Sequence, residues 1–157
     1  MMNIYFPQEK IQKNDLYFIC YMIERVARRI RQKNSYVVNH IGKENLEHLI
    51  SVANVLHCEN PLAVEDDWIE NYSLEEGNSD VTDVNAELVS KIPTATQMGK
   101  VYQRLISDTA LPDETEVDGI IRVYNNPICV VIDNYNCSAY YEPSYVIARA
   151  FHNGGFL

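Results

Sequence analysis

Glu44 and His48 stand four residues apart, the spacing that sets two side chains on one face of a helix. His57 and Asp66 follow within reach of a helical hairpin, with Asp67 beside them. Paired helices build divalent-metal sites from carboxylates and imidazoles of this kind. Glu44, His48, His57 and Asp66 are therefore the candidate ligands of a metal centre, and its chemistry would be metal-assisted hydrolysis. The set lacks the H-E-x-x-H pattern that makes such a reading specific. An exposed polar face at 44–48 and a helix-end histidine at 57 account for the same residues, so no metal or other cofactor is assigned. Cys58 adjoins His57, but a nucleophilic thiol needs a base placed across space, and its other neighbour is an acid, Glu59. No glycine-rich phosphate loop and no G-x-S-x-G elbow occurs. No residue is assigned as catalytic.

Charge is segregated along the chain. Residues 1–40 carry +4, residues 41–90 carry −11 and residues 91–157 carry −2, within a net charge of −9. The positive part is concentrated in Arg25, Arg28, Arg29, Arg31 and Lys33, a set able to touch phosphate. No aromatic residues are interleaved with it and no nucleic-acid module surrounds it. The strongly acidic middle repels phosphate and disfavours nucleic acid as a partner. The acids gather on Glu65, Asp66, Asp67 and Glu70, next to the only tryptophan, Trp68. A one-sided charge pattern of this kind suits docking of a protein partner, unless the basic helix neutralises it internally, with Arg25, Arg28 or Arg29 in ion-pair reach of Asp66, Asp67 or Glu70. Tyr140 and Tyr141 add a second contact candidate. They precede Pro143 in a loop, and tyrosines carry a rigid apolar body with a polar tip that serves interfaces. Tyr124 and Tyr135 fall on apolar faces and read as core.

The elements that must position these groups are helices. Leu16, Ile19, Ile23, Val26 and Ile30 recur every three or four residues and predict a helix over 15–33. A short helix over 36–41 stops at Gly42. Another covers 43–57, with Leu46, Leu49, Ile50, Ala53 and Leu56 inward. Asn60-Pro61 signals a further start, with the helix running to about Tyr72. Residues 73–80 are polar and form the boundary between two halves, 1–75 and 76–157. A weak helical pattern occupies 81–92. Thr94 with Gln97, and Asp113 with Glu116, each match a capping box. Asn126-Pro127 repeats the start signal, so the β-branched run 128–132 is read as helix rather than strand. A last helix begins near Pro143 and ends at Gly154-Gly155. The expectation is an all-α protein of seven or eight short helices in a compact orthogonal bundle with two abutting halves.

The 157 residues suffice for a buried core without covalent staples. Cys20, Cys58, Cys129 and Cys137 form no C-x-x-C pair and read as reduced thiols. No run of about 18 apolar residues suits a membrane span. The opening Met1-Met2-Asn3-Ile4-Tyr5-Phe6-Pro7 lacks the blocks of a secretion signal, so the expected location is the cytoplasm.

Asp15-Leu16-Tyr17-Phe18-Ile19, then Leu56-His57 leading into Glu65-Asp66-Asp67 and Ile69, resembles a family of short uncharacterised helical domains of Gram-positive and gut bacteria. The resemblance covers residues 14–72 and implies a small bacterial accessory protein working through a protein partner. The expected function is a non-enzymatic interaction protein: an accessory, adaptor or antitoxin-like factor using Glu65, Asp66, Asp67, Glu70, Tyr140 and Tyr141. A second copy of the chain is one such partner. The alternatives are a small metal-dependent hydrolase and a nucleic-acid binder using the basic first helix.

Overall fold

Thr94 and Gln97 form the capping box that the sequence suggests. Gln97 N–H donates to the Thr94 hydroxyl at 3.0 Å, and the Gln97 side chain accepts from Thr94 N–H at 2.7 Å. In the computed structural model, which describes residues 3–6 and 8–156, this box opens a helix that lies along the first long helix. The order is α1 (Lys13–Ile30), α2 (Asn34–Ile41), α3 (Lys43–Ser51), α4 (Ala53–Leu56), α5 (Pro61–Asn71), α6 (Ala95–Asp108), α7 (Glu116–Tyr124), α8 (Cys129–Ile132) and α9 (Ser144–Asn153). A single 3-10 turn spans Ala139–Tyr141. The protein is all-α: nine α-helices and no strand occur among the described residues, against the seven or eight expected.

The extra helix arises where the expected 43–57 segment breaks. Val52 adopts φ −113° and ψ 13°, which ends α3 and starts the single turn of α4. Cys129–Ile132 are helical and not a strand, as the Asn-Pro signal indicates. Asn126 Oδ1 accepts from Ile128 N–H at 2.9 Å, just as Asn60 Oδ1 accepts from Leu62 N–H at 3.0 Å.

Three helix limits differ from expectation for local reasons. α1 ends at Ile30, because Arg31 takes the left-handed conformation (φ 54°) and Gln32 N–H returns to Ala27 O at 3.0 Å. The expected Asp113–Glu116 box is not used. Asp113 itself is left-handed at φ 62°, and Thr115 caps α7 by accepting from Asp118 N–H at 3.1 Å. Residues 81–92 contain turns rather than a helix. The Asp80 carboxylate accepts from Thr82 N–H and the Asn85 side chain accepts from Glu87 N–H, and such local bonds compete with helix formation.

α1 is the central element, and α6 makes its most extensive contact with it. Gly99 sets that contact. A Cβ there would lie 3.0 Å from the Tyr21 Cα and from the Tyr17 ring, so the missing side chain lets the two helices approach. α2 and α5 flank α1, α7 packs on α2, α3 and α6, and α9 covers α6. Helices from both halves of the chain line one apolar cluster, including Ile19, Ile23, Leu46, Trp68, Tyr102 and Ile120. The segment after α5 is fastened to the end of α1: Gly77 N–H donates to Ile30 O and Ser79 N–H to Arg31 O, both at 2.8 Å. Among the described residues no helix is long and apolar enough to cross a membrane.

Candidate binding sites

The basic face of α1 and the acidic face of α5 meet each other. Arg25 Nε lies 2.6 Å from Glu65 Oε2, and Arg29 Nη2 lies 2.5 Å from Asp66 Oδ1. Glu65 is therefore turned inward, with its side chain 4% exposed, rather than presented to a partner. Arg31 pairs with Glu76 and Arg28 with Glu24. Four of the five cations that suggested phosphate contact are thus held by carboxylates within the protein. On α5, Asp67 and Glu70 remain exposed and make no ion pair among the described residues.

The four candidate metal ligands do not converge. Glu44 is exposed on α3. His48 packs edge-on against Tyr5, with ring centroids 5.2 Å apart. His57 stacks on Phe18 at 4.9 Å. Asp66 is engaged by Arg29. No group of three or more His, Cys, Asp and Glu among the described residues is arranged to hold a metal ion. All four cysteines are free, Cys58 and Cys137 exposed and Cys20 and Cys129 buried. Burial pushes both buried thiols up to about 12.

The tyrosine loop forms a groove of about 230 Å³ between α6 and α9. Tyr140 packs edge-on against the buried Tyr135. Tyr141 is 78% exposed at the rim, and Tyr145 is exposed nearby on α9. Lys100 and Arg104, one turn apart on α6, line the opposite wall together with Glu142 from the loop side. Neither base makes an ion pair among the described residues, and Lys100 lies over the Tyr17 ring at 5.1 Å. In a chain with a net charge of −9, this is a local positive spot bordered by aromatic surface.

A second cluster has no counterpart among the sequence-based expectations. Glu24, 2% exposed, sits on the buried side of α1. Its Oε2 accepts from the Tyr135 hydroxyl at 2.6 Å and from Arg28 Nε at 2.8 Å, and its Oε1 accepts from Asn34 Nδ2 at 3.0 Å. The same Asn34 amide reaches Asp133 Oδ2 at 3.3 Å, and the Tyr102 hydroxyl donates to Asp133 Oδ1 at 2.6 Å. Asn34 thus bridges two carboxyl groups, and Arg28 touches only one of them. Burial and then the Glu24 charge push the Asp133 carboxyl up to about 8, against hydrogen bonds from Tyr102 and Asn34 and the charge of Arg28. Beside the Glu24 charge the Asp133 carboxyl is therefore held toward its protonated form. Burial also drives the hydroxyls of Tyr102, Tyr124 and Tyr135 far above the usual tyrosine range.

Asp133 and Asn34 border a cleft of about 320 Å³ between α2, α7 and α8, with Lys33 at its rim. The signal for this cluster was present in the sequence as Glu24, an acid within the apolar stripe of the first helix and four residues ahead of Arg28. Asp133 gave a fainter one, between Ile132 and Tyr135. Their meeting from opposite ends of the chain could not be read from spacing. No family model, curated protein or solved structure matches the chain.

Proposed function

We propose that this chain is a non-enzymatic interaction protein of the cytoplasm, an accessory, adaptor or antitoxin-like factor. It docks an acidic segment of a protein partner in the groove beside Tyr140 and Tyr141. The observation that carries the reading is Tyr141, a large aromatic side chain left 78% exposed beside two bases that lack carboxylate partners among the described residues. Aromatic residues next to arginine dominate binding energy at protein interfaces. The groove, at about 230 Å³, lies below the usual range for small-molecule sites and suits a side chain or two of a larger partner. Asp67 and Glu70 on α5 give the acidic surface that steers a partner with a basic region, an effect on association rate more than on affinity.

The test is capture of interacting proteins from the native host by wild type, by Lys100→Glu/Arg104→Glu, and by Asp67→Lys/Glu70→Lys. The reading expects a specific protein retained by wild type, lost with the first variant and weakened with the second. A chain that sizes as a monomer and retains the same proteins in all three forms contradicts it.

A further inference from the structure

The cleft over Asp133 shares no lining residue with the Tyr141 groove, and its chemistry differs. Its volume of about 320 Å³ equals that of roughly ten liquid waters, the size of an amino acid. A buried carboxyl group, Asp133, and an exposed ammonium, Lys33, both line it. Val81, Pro127 and Val130 add apolar surface to a lining that also carries Ser79, Asn125 and Asn126.

Two groups in the cleft lack partners among the described residues. Asn34 is 5% exposed and spends its amide N–H groups on Glu24 and Asp133. Its Oδ1 accepts no hydrogen bond among the described residues. This oxygen is also absent from the fully enclosed polar atoms left without partners, which are Trp68 Nε1 and Glu116 Oε2, so it reaches open space. The first N–H groups of α2, at Asn34 and Ser35, likewise have no acceptor among the described residues: Lys33 supplies no side-chain cap, and the first backbone bonds of the helix come from Tyr36 and Val37. The cleft thus offers a carboxyl group and an amide oxygen. It also offers the Lys33 ammonium and the backbone donors of Asn34 and Ser35.

We propose that this cleft binds a small zwitterionic molecule of amino-acid size, its ammonium on Asp133 and Asn34 Oδ1 and its carboxylate on Lys33 and the N-terminus of α2. The buried floor explains the preference for a cation. Two carboxyl groups, Glu24 and Asp133, face one guanidinium, Arg28, which bonds Glu24. The remaining groups turned toward Asp133 are neutral: Asn34 from α2, Tyr102 from α6, Tyr124 from α7, Cys129 from α8 and Tyr135 beyond it. A ligand ammonium takes the place of the Asp133 proton as counterion of that carboxylate, and the proton is released to solvent. The amino-acid side chain lies against Val81, Pro127 and Val130.

The test is calorimetry and thermal shift on the full chain with individual L-amino acids as probes, and with propionate and propylamine as single-charge controls. At about 10 mM, ten-fold above a millimolar Kd, at least one amino acid raises the melting temperature while neither control does. Lys33→Ala, at an exposed position, and Asp133→Asn, with its fold checked by circular dichroism, each weaken that binding ten-fold or more. Calorimetry at pH 7 in two buffers of different ionisation heat shows proton release by wild type and none by Asp133→Asn. Absence of any amino-acid-dependent shift, equal binding of propionate or propylamine, or affinity unchanged in both variants overturns the proposal.

Discussion

Replacing Asp133 by Asn tests the buried carboxyl pair without changing side-chain shape. The new amide keeps an oxygen for the Tyr102 hydroxyl, now 2.6 Å from Asp133 Oδ1, but it turns a donor toward Asn34 Nδ2. Loss of that bond costs about 1 kcal/mol. The proton works in the other direction. Asp133 binds its proton up to about 8 when folded and releases it near the ordinary value of 3.8 when unfolded. Across that window the native state holds more protons, so rising pH lowers stability by up to ~1.4 kcal/mol per unit. The contribution is complete below about 4, is lost on passing through about 8, and is absent from the Asp133→Asn variant. From pH 5 to pH 8 the ceiling is about 4 kcal/mol, and Arg28 with the open cleft reduces it, so we expect about 2–4 kcal/mol. The assay is urea unfolding followed by the fluorescence of Trp68, the single tryptophan, which is 2% exposed. Asp133→Asn is expected to be the less stable protein at pH 5 and the more stable at pH 8. A stability difference that stays constant over that range refutes the account of a proton held on buried Asp133.

Arg25→Ala leaves the Glu65 carboxylate, 4% exposed, with only Arg29 at 3.6 Å; a loss of about 2–3 kcal/mol in denaturant unfolding is expected, and Glu65→Gln in the same background should restore part of it. Gly99→Ala places a Cβ 3.0 Å from the Tyr21 backbone, and forcing α1 and α6 apart should cost about 1–3 kcal/mol, read as a lower melting temperature. A thiol reagent should label two cysteines, Cys58 and Cys137, quickly in the native protein and all four after denaturation.

The sequence showed most where local chemistry decides. The Thr94–Gln97 box, the two Asn-Pro starts and the left-handed Gly154 that ends α9 depend on residues within four positions of one another. The apolar stripe of α1 likewise located the centre of the core. What was not legible depends on contacts between distant segments or on competition. The 81–92 segment has apolar spacing, yet the Asp80 and Asn85 side chains take the backbone N–H groups that a helix would use. The acidic block was readable as an external surface or as the partner of the basic first helix; buried Glu65 and exposed Asp66 bind α1, leaving Asp67 and Glu70 without an ion pair among the described residues. The Glu44, His48, His57 and Asp66 set looked coherent only because sequence proximity was read as spatial proximity. Each of those side chains is either exposed or occupied by an aromatic ring or an arginine. Tyr140 and Tyr141 were legible as a freer pair because Pro143 interrupts the helix behind them. The bases facing them, Lys100 and Arg104, come from α6 and required the fold.

The most direct measurement of the proposed docking surface is photo-crosslinking in living cells of the native host, with a benzophenone amino acid at position 141 and, separately, at exposed position 44 on α3. The account predicts one discrete adduct from position 141, abolished by Lys100→Glu/Arg104→Glu, and none from position 44. An adduct from position 44 alone, or no adduct from either position in a folded protein, contradicts it.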